Sequence, residues 1–314
     1  MATTERRWIG KDIPRLEDPK LLAGRATYTD DVKLPGMLHT AVLRSPHPHA
    51  RIARIDTSRA RALPGVFAVA TGEDAKEMTN PLPAFCAEPV VQYCLAVDKV
   101  RFVGEAVAAV AAVDRYTAED AVALIDVEYE PLPVITDPFE AMKPGAIKLH
   151  DPLPSNLAFE KTLSFGDVAA DFAGADRVIR RKLRWHRASA QPLETAGAVC
   201  RYDPITQKMD VWSNTNMINY VGWLIANTIK VPAAKLNIYP MYVGGSFGSK
   251  HVLGKIIGIA SMLAKRSGRP VKFMEDRVDN LTACENLAFC GARVAYGIHP
   301  SGGGDDGQST EVAG

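Results

Sequence analysis

At 314 residues the chain is long enough for two domains, and with 47% hydrophobic and 23% charged residues it has the balance of a soluble globular protein. Lys and Arg number 37 against 36 Asp and Glu, and a net charge of +1 argues against nucleic acid or an anionic membrane as a main partner. The start, Met-Ala-Thr-Thr-Glu-Arg-Arg-Trp, has no apolar h-region behind it, and no run reaches ~18 apolar residues, so a cytoplasmic location is expected. The five cysteines (Cys86, Cys94, Cys200, Cys284, Cys290) contain no C-x-x-C pair, which points to buried free thiols rather than zinc or iron–sulfur ligation.

Residues 1–36 read as an extended arm laid over another domain or subunit, because 7–36 show turn formers without periodicity. From Met37 the patterns alternate. Strands are expected at Met37–Arg44, Ala50–Asp56, Val66–Thr71, Lys99–Val113 and Asp126–Pro133. Short helices are expected after a Thr57 or Ser58 cap, and at Tyr116–Leu124 with acids in its first turn. His47 and His49, flanked by prolines without nearby carboxylates, read as turn residues rather than metal ligands. The unit 37–137 is thus a compact α+β domain. Residues 138–156, rich in Pro and Gly, form a linker.

Beyond it, Asp176–His186, Gly197–Asp203 and Lys208–Asn214 read as strands and Met217–Lys230 as a helix with Ile218, Val221, Ile225 and Ile229 on one face. A strand over Lys235–Tyr242 leads into Val243-Gly-Gly-Ser-Phe-Gly-Ser-Lys250, and a helix over His251–Ser267 follows, with Val252, Ile256, Ile259 and Leu263 at helical spacing. Three glycines in five positions let backbone approach a ligand closely, and a helix N-terminus behind them would face an anion. The string is not a P-loop, since Ser249 separates Gly248 from Lys250, and it is not G-x-G-x-x-G either. On glycine content alone, a tight strand-to-helix turn that binds nothing is an equal reading.

The string V-G-G-S-F-G-S-K resembles the glycine–phenylalanine loop of the molybdenum hydroxylase large subunits, the xanthine dehydrogenase, aldehyde oxidase and carbon monoxide dehydrogenase family. Pro14-Arg-Leu-Glu-Asp18, Asp30 to His39, Arg44-Ser-Pro-His47, Ala62-Leu-Pro-Gly-Val66, Val103-Gly-Glu-Ala-Val107 and Asp276 to Thr282 resemble the same family in the same order. The resemblance implies an N-terminal α/β hammerhead domain, followed at 157–286 by the first part of a molybdopterin-binding α+β domain.

It also implies a molybdopterin (molybdenum) cofactor against Gly244, Gly245, Ser246, Phe247 and Gly248, and 2Fe-2S and FAD on partner subunits. The expected activity is water-dependent oxidation of an aldehyde, N-heterocycle or similar small substrate. Ser246 stands where many relatives have glycine. His251 stands where purine-oxidising relatives carry a substrate-binding glutamate, which disfavours xanthine. Gln191-Pro-Leu-Glu-Thr195 resembles a segment that approaches the metal, so Gln191 is a substrate-side candidate; a hydrogen-bonded turn is the plainer reading for Gln191 and Glu194. Lys250 reads as a solvated charge. The family's general-base glutamate maps beyond this chain, so a complementing chain is expected to supply the rest of the domain. Residues 287–314 depart from the family and read as a disordered tail, as a reading frame disrupted near residue 287 would give. A non-catalytic assembly subunit or an inactive remnant is the alternative.

Overall fold

The computed structural model describes residues 10–83, 90–157, 160, 162–163, 165–185, 189–251, 253–283, 290–298 and 310–313. Thirteen strands occur among them: β1 (Leu38–Arg44), β2 (Ala50–Asp56), β3 (Val66–Thr71), β4 (Lys99–Val100), β5 (Ala106–Ala112), β6 (Asp126–Pro131), β7 (Arg177–Trp185), β8 (Gly197–Asp203), β9 (Lys208–Ser213), β10 (Leu236–Pro240), β11 (Val271–Met274), β12 (Cys290–Ile298) and β13 (Thr310–Ala313). The helices are α1 (Asp18–Leu22), α2 (Ser58–Ala62), α3 (Gly72–Met78), α4 (Arg115–Ala123), α5 (Pro138–Ala141), α6 (Val168–Gly174), α7 (Ile218–Thr228), α8 (Gly254–Ser267) and α9 (Arg277–Ala283).

Seven strands from both halves of the chain form one sheet in the order β10-β9-β8-β11-β1-β5-β3. The joint is the parallel pairing of β1 with β11, Leu38 opposite Val271. Strand β5 explains why the sheet sits between two layers. All seven of its residues are buried, as a strand covered on both faces requires. Ala109 and Ala111 belong to the core that α8 fills with Ile256, Ile257, Ile259, Met262 and Leu263. Their neighbours Ala108 and Val110 pack on the other side with Ala60 of α2 and Ala121 of α4. Each large aliphatic side chain buried this way contributes about 1.5–3 kcal/mol. Ile225 of α7 and Ile229, which caps it, join the α8 core. Two smaller sheets, β4-β2-β6 and β13-β12-β7, complete the strands.

Several expectations are corrected. The run 99–113 is two strands, not one: Gly104, at φ +93, turns the chain so that its N–H reaches Ser45 O at 2.8 Å and the Glu105 carboxylate accepts from Arg101 N–H at 2.6 Å. Neither Thr57 nor Ser58 caps α2 with its side chain; Asp56 Oδ1 accepts the Ser58 N–H instead. Helix α4 has no acid in its first turn and is capped by Asp114, which accepts from Thr117 N–H. Helix α8 begins at Gly254, three residues later than expected, and Val252 lies outside the described residues.

The irregular tail expected from 287 contains β12, which pairs antiparallel with β7 over nine positions, and β13 beyond it; the rest of that stretch lies outside the described residues. In the N-terminal region, Thr27 O accepts from Tyr242 N–H, Lys272 Nζ donates to Asp30, and Arg269 Nε donates to Gly36 O at 2.7 Å. His49 Nδ1 lies 2.7 Å from Pro133 O, and the His47 ring lies against Tyr129.

Candidate cofactor-binding site

The glycine loop leaves the edge strand β10 and ends before α8. Its conformation is unusual throughout: Gly245, Phe247 and Gly248 have φ of +95, +50 and +91. Phe247, a bulky residue in the left-handed region, costs on the order of 1–3 kcal/mol, and its ring is 70% exposed.

Gly244 has no room for a side chain, and Gly245 is tightly approached. A Cβ on Gly244 would stand 2.6 Å from Glu194 Cβ, and one on Gly245 would stand 3.2 Å from Pro192 Cβ. A Cβ on Gly248 would meet nothing within 4 Å, so only the backbone angle demands glycine there.

The loop is held from two sides. On one side, Gly244 N–H donates to Glu194 Oε2 at 2.8 Å, and Glu194 N–H donates back to Gly244 O at 3.1 Å. Lys250 Nζ donates to the same Oε2 at 3.0 Å. On the other side, Asn216 Nδ2 donates to Ser246 Oγ at 3.1 Å, and its main-chain N–H donates to Lys250 O. Asn216 Oδ1 lies 2.9 Å from His251 Nδ1, so that nitrogen carries the proton in this arrangement.

Lys250 corrects the sequence reading. Its side chain is 0% exposed rather than solvated, and burial lowers its pKa against the raising influence of Glu194 and Glu275. Thr215 Oγ1 donates to Lys250 O and His251 O, and this occupies the carbonyls that would have begun the helix at 251. The helix N-terminus is thereby set back, and the donors at the loop are its own amides. Among the described residues, the N–H groups of Gly245, Ser246, Phe247 and Gly248 have no acceptor. Four consecutive amides without an acceptor, in backbone with three positive φ angles, are donors available to electronegative atoms.

Of the sequence candidates, Gly245, Ser246, Phe247 and Gly248 therefore offer donors, whereas the Gly244 N–H is committed to Glu194. His251 is exposed beside Asn216. Gln191 is exposed, one residue before the Pro192 that packs on Gly245. Sequence reading missed Asn216 as the tie between Ser246 and His251. The run Ser213-Asn-Thr-Asn216 between an amphipathic strand and an apolar helix was its only signal.

A seven-stranded mixed sheet packed between helices, with a glycine loop joining its edge strand to a helix, defines an α+β protein. The chain belongs to the molybdopterin-binding large-subunit family of xanthine dehydrogenases, aldehyde oxidases and carbon monoxide dehydrogenases. Residues 23–133 match the aldehyde oxidase and xanthine dehydrogenase a/b hammerhead domain, and residues 149–302 match the molybdopterin cofactor-binding domain. Hammerhead followed by cofactor-binding α+β unit is therefore the fold.

The chain is 37% identical to the 6-hydroxypseudooxynicotine dehydrogenase complex subunit gamma of Paenarthrobacter nicotinovorans, over 88% of this chain and 35% of that one. It is also 37% identical to the carbon monoxide dehydrogenase large chain of Afipia carboxidovorans, over 87% of this chain and 35% of that one. The crystal structure of quinoline 2-oxidoreductase from Pseudomonas putida 86 superposes with a TM-score of 0.85 at 37% identity, covering 92% of this chain and 37% of that one. The chain thus spans little more than a third of the length of these relatives.

Proposed function

We propose that this chain supplies one wall of a molybdopterin site in a molybdenum hydroxylase acting on an aldehyde, an N-heterocycle or a similar small substrate. The observation that supports this reading is the set of four free amides at Gly245–Gly248, held in place by Glu194 and Asn216. The residues fit such a group. Gly244 leaves no room for a side chain against Glu194 and Gly245 lies close on Pro192, while the face above Gly248 is open. The Ser246 hydroxyl accepts from Asn216 and from Lys250 N–H, and its own proton remains for an acceptor on the ligand.

When bound, the molybdenum cofactor supplies the redox and oxygen-transfer chemistry. This chain's part is to hold and orient. The amides of Gly245–Gly248 donate to electronegative atoms, Phe247 presents an apolar face, and His251, its Nδ1 proton tied to Asn216, turns Nε2 outward on the substrate side. Gln191 lies at the same rim. No carboxylate of this chain is assigned the proton-abstracting role. Iron–sulfur and FAD subunits are the electron partners, and the complex works in the cytoplasm.

The test is molybdenum and pterin content of the purified chain, alone and co-expressed with adjacent reading frames. Metal and pterin bound in the co-expressed complex are expected; their absence from both preparations would overturn the proposal. A non-catalytic assembly subunit is the second reading, favoured by the exposed apolar side chains of Leu193, Phe247 and Val278 around the loop. That role predicts a stable complex with a full-length relative that carries no metal on this chain.

A further inference from the structure

We infer that Glu194 is the positioning residue of the glycine loop, and that its carboxylate sets the direction in which the Gly245–Gly248 amides point. What the loop faces rests on the proposed function; how the loop is held does not.

One oxygen, Glu194 Oε2, receives both ends of the loop: the Gly244 N–H at 2.8 Å and the Lys250 ammonium at 3.0 Å. The return bond from Glu194 N–H to Gly244 O closes a two-way bridge between residues 194 and 244. The contact is close because Gly244 has no side chain. Between these ends, the amides of 245–248 have no bonds of their own among the described residues, so their orientation follows the ends and the Ser246 tie to Asn216. Lys250, fully buried, has Glu194 as its hydrogen-bond partner, which holds the carboxylate in place from behind.

The second observation is Glu194 Oε1. It is buried and has no hydrogen-bond partner among the described residues. Buried acceptors are rarely left so, and this oxygen belongs to the same carboxylate that holds both ends of the loop.

Three variants of the full chain separate positioning from plain structural support. Glu194→Leu with Lys250→Met removes the buried pair together and avoids an uncompensated charge. Glu194→Gln with Lys250→Met keeps a carbonyl that accepts from Gly244. Glu194→Asp withdraws the carboxylate by one methylene and serves if the leucine variant fails to fold. Melting temperatures close to the parent are expected for the two double variants and a lower one for Glu194→Asp, which draws the carboxylate away from the buried Lys250 ammonium. Hydrogen exchange at the Gly244 amide should accelerate tenfold or more with leucine or aspartate and stay at the parent rate with glutamine. Retained pterin and molybdenum in the complex should fall at least tenfold in the same two variants only. Parent-like Gly244 exchange in the leucine or aspartate variant overturns the assignment, and so does parent-like cofactor retention. If the parent itself binds no cofactor, the proposed function fails and the exchange rates still decide the role of Glu194.

Discussion

Arg44 and Glu275 meet where β1 runs alongside β11, with Arg44 Nη2 3.7 Å from Glu275 Oε1. The same guanidinium pairs with Asp279 and donates to Gly104 O at 3.1 Å, so one side chain ties the hammerhead half to α9. Arg277 of α9 donates in turn to Asn280 Oδ1 and to Leu193 O, the residue before Glu194. Polar contacts therefore run from the Gly104 turn to the glycine loop.

The first prediction concerns pH. Burial pushes the Glu275 carboxyl up to about 7 from 4.5, despite Arg44 and the Asn280 hydrogen bond, and Asp279 and Asp276 add to the rise. The folded protein then holds this proton more tightly than the unfolded chain. Its stabilising contribution is full below pH 4.5 and is lost as pH rises through about 7. The loss is on the order of 3 kcal/mol. Glu105, which lines the same cavity of about 30 Å³ with Arg44 and Lys255, is raised by burial and acts in the same direction. Urea midpoints at pH 5, 6, 7 and 8 should fall more steeply for the parent than for Glu275→Gln. Parallel profiles would show that Glu275 does not titrate in this range.

The second prediction separates two glycines. Gly244→Ala forces a Cβ to 2.6 Å from Glu194 Cβ and breaks the Glu194–Gly244 bridge. Gly248→Ala meets open space and bears only the cost of φ +91. We expect about 1–2 kcal/mol from Gly248→Ala and about 1–3 kcal/mol more from Gly244→Ala, read from denaturant midpoints. Equal costs would mean that Glu194 does not crowd the loop.

Much of the fold was legible because buried strands and amphipathic helices follow from periodicity. Strands β2, β3 and β8 have the residue bounds expected of them, since each ends at a turn former or a charged residue. What was not legible depended on contacts distant in sequence. Lys250 reads as a solvated charge because nothing local shows that Glu194, 56 positions earlier, lies beneath it. The start of α8 moved because Thr215 and Asn216 occupy the carbonyls of residues 250 and 251. The pairing of β12 with β7 joins segments about a hundred residues apart and has no local signature. Residue types at the site were readable; which amide was already committed was not.

The third prediction tests the N-terminal region. Lys272 is buried, and its Nζ donates to Asp30 O and Asp30 Oδ1. Deleting residues 1–36 would leave that ammonium in the sheet without these partners. Asp30 itself is mostly exposed, so its charge contributes less than a buried partner would. A loss of about 2–3 kcal/mol is expected for the deletion, with part of it recovered by Lys272→Met. If the deletion leaves the urea midpoint unchanged, the N-terminal segment does not stabilise this sheet.

The last prediction follows from what surrounds the loop. Leu193 is 93% exposed, Phe247 70% and Val278 69%. Arg277 Nη2 donates to the Leu193 carbonyl at 2.9 Å, which brings the 193 turn next to α9, the helix that carries Val278. Exposed apolar surface like this favours association, at roughly 25 cal/mol per Å² removed from water. The purified chain should therefore self-associate at micromolar concentration, and sedimentation velocity should show a weight-average mass that rises with concentration. Leu193→Lys with Val278→Lys places two charges on this surface without touching the Glu194, Asn216 or Lys250 contacts, and should shift the chain towards monomer at least tenfold. A concentration-independent monomer for the unaltered chain would show that this surface does not drive association, and an oligomer unmoved by the lysines would place the contact on another face.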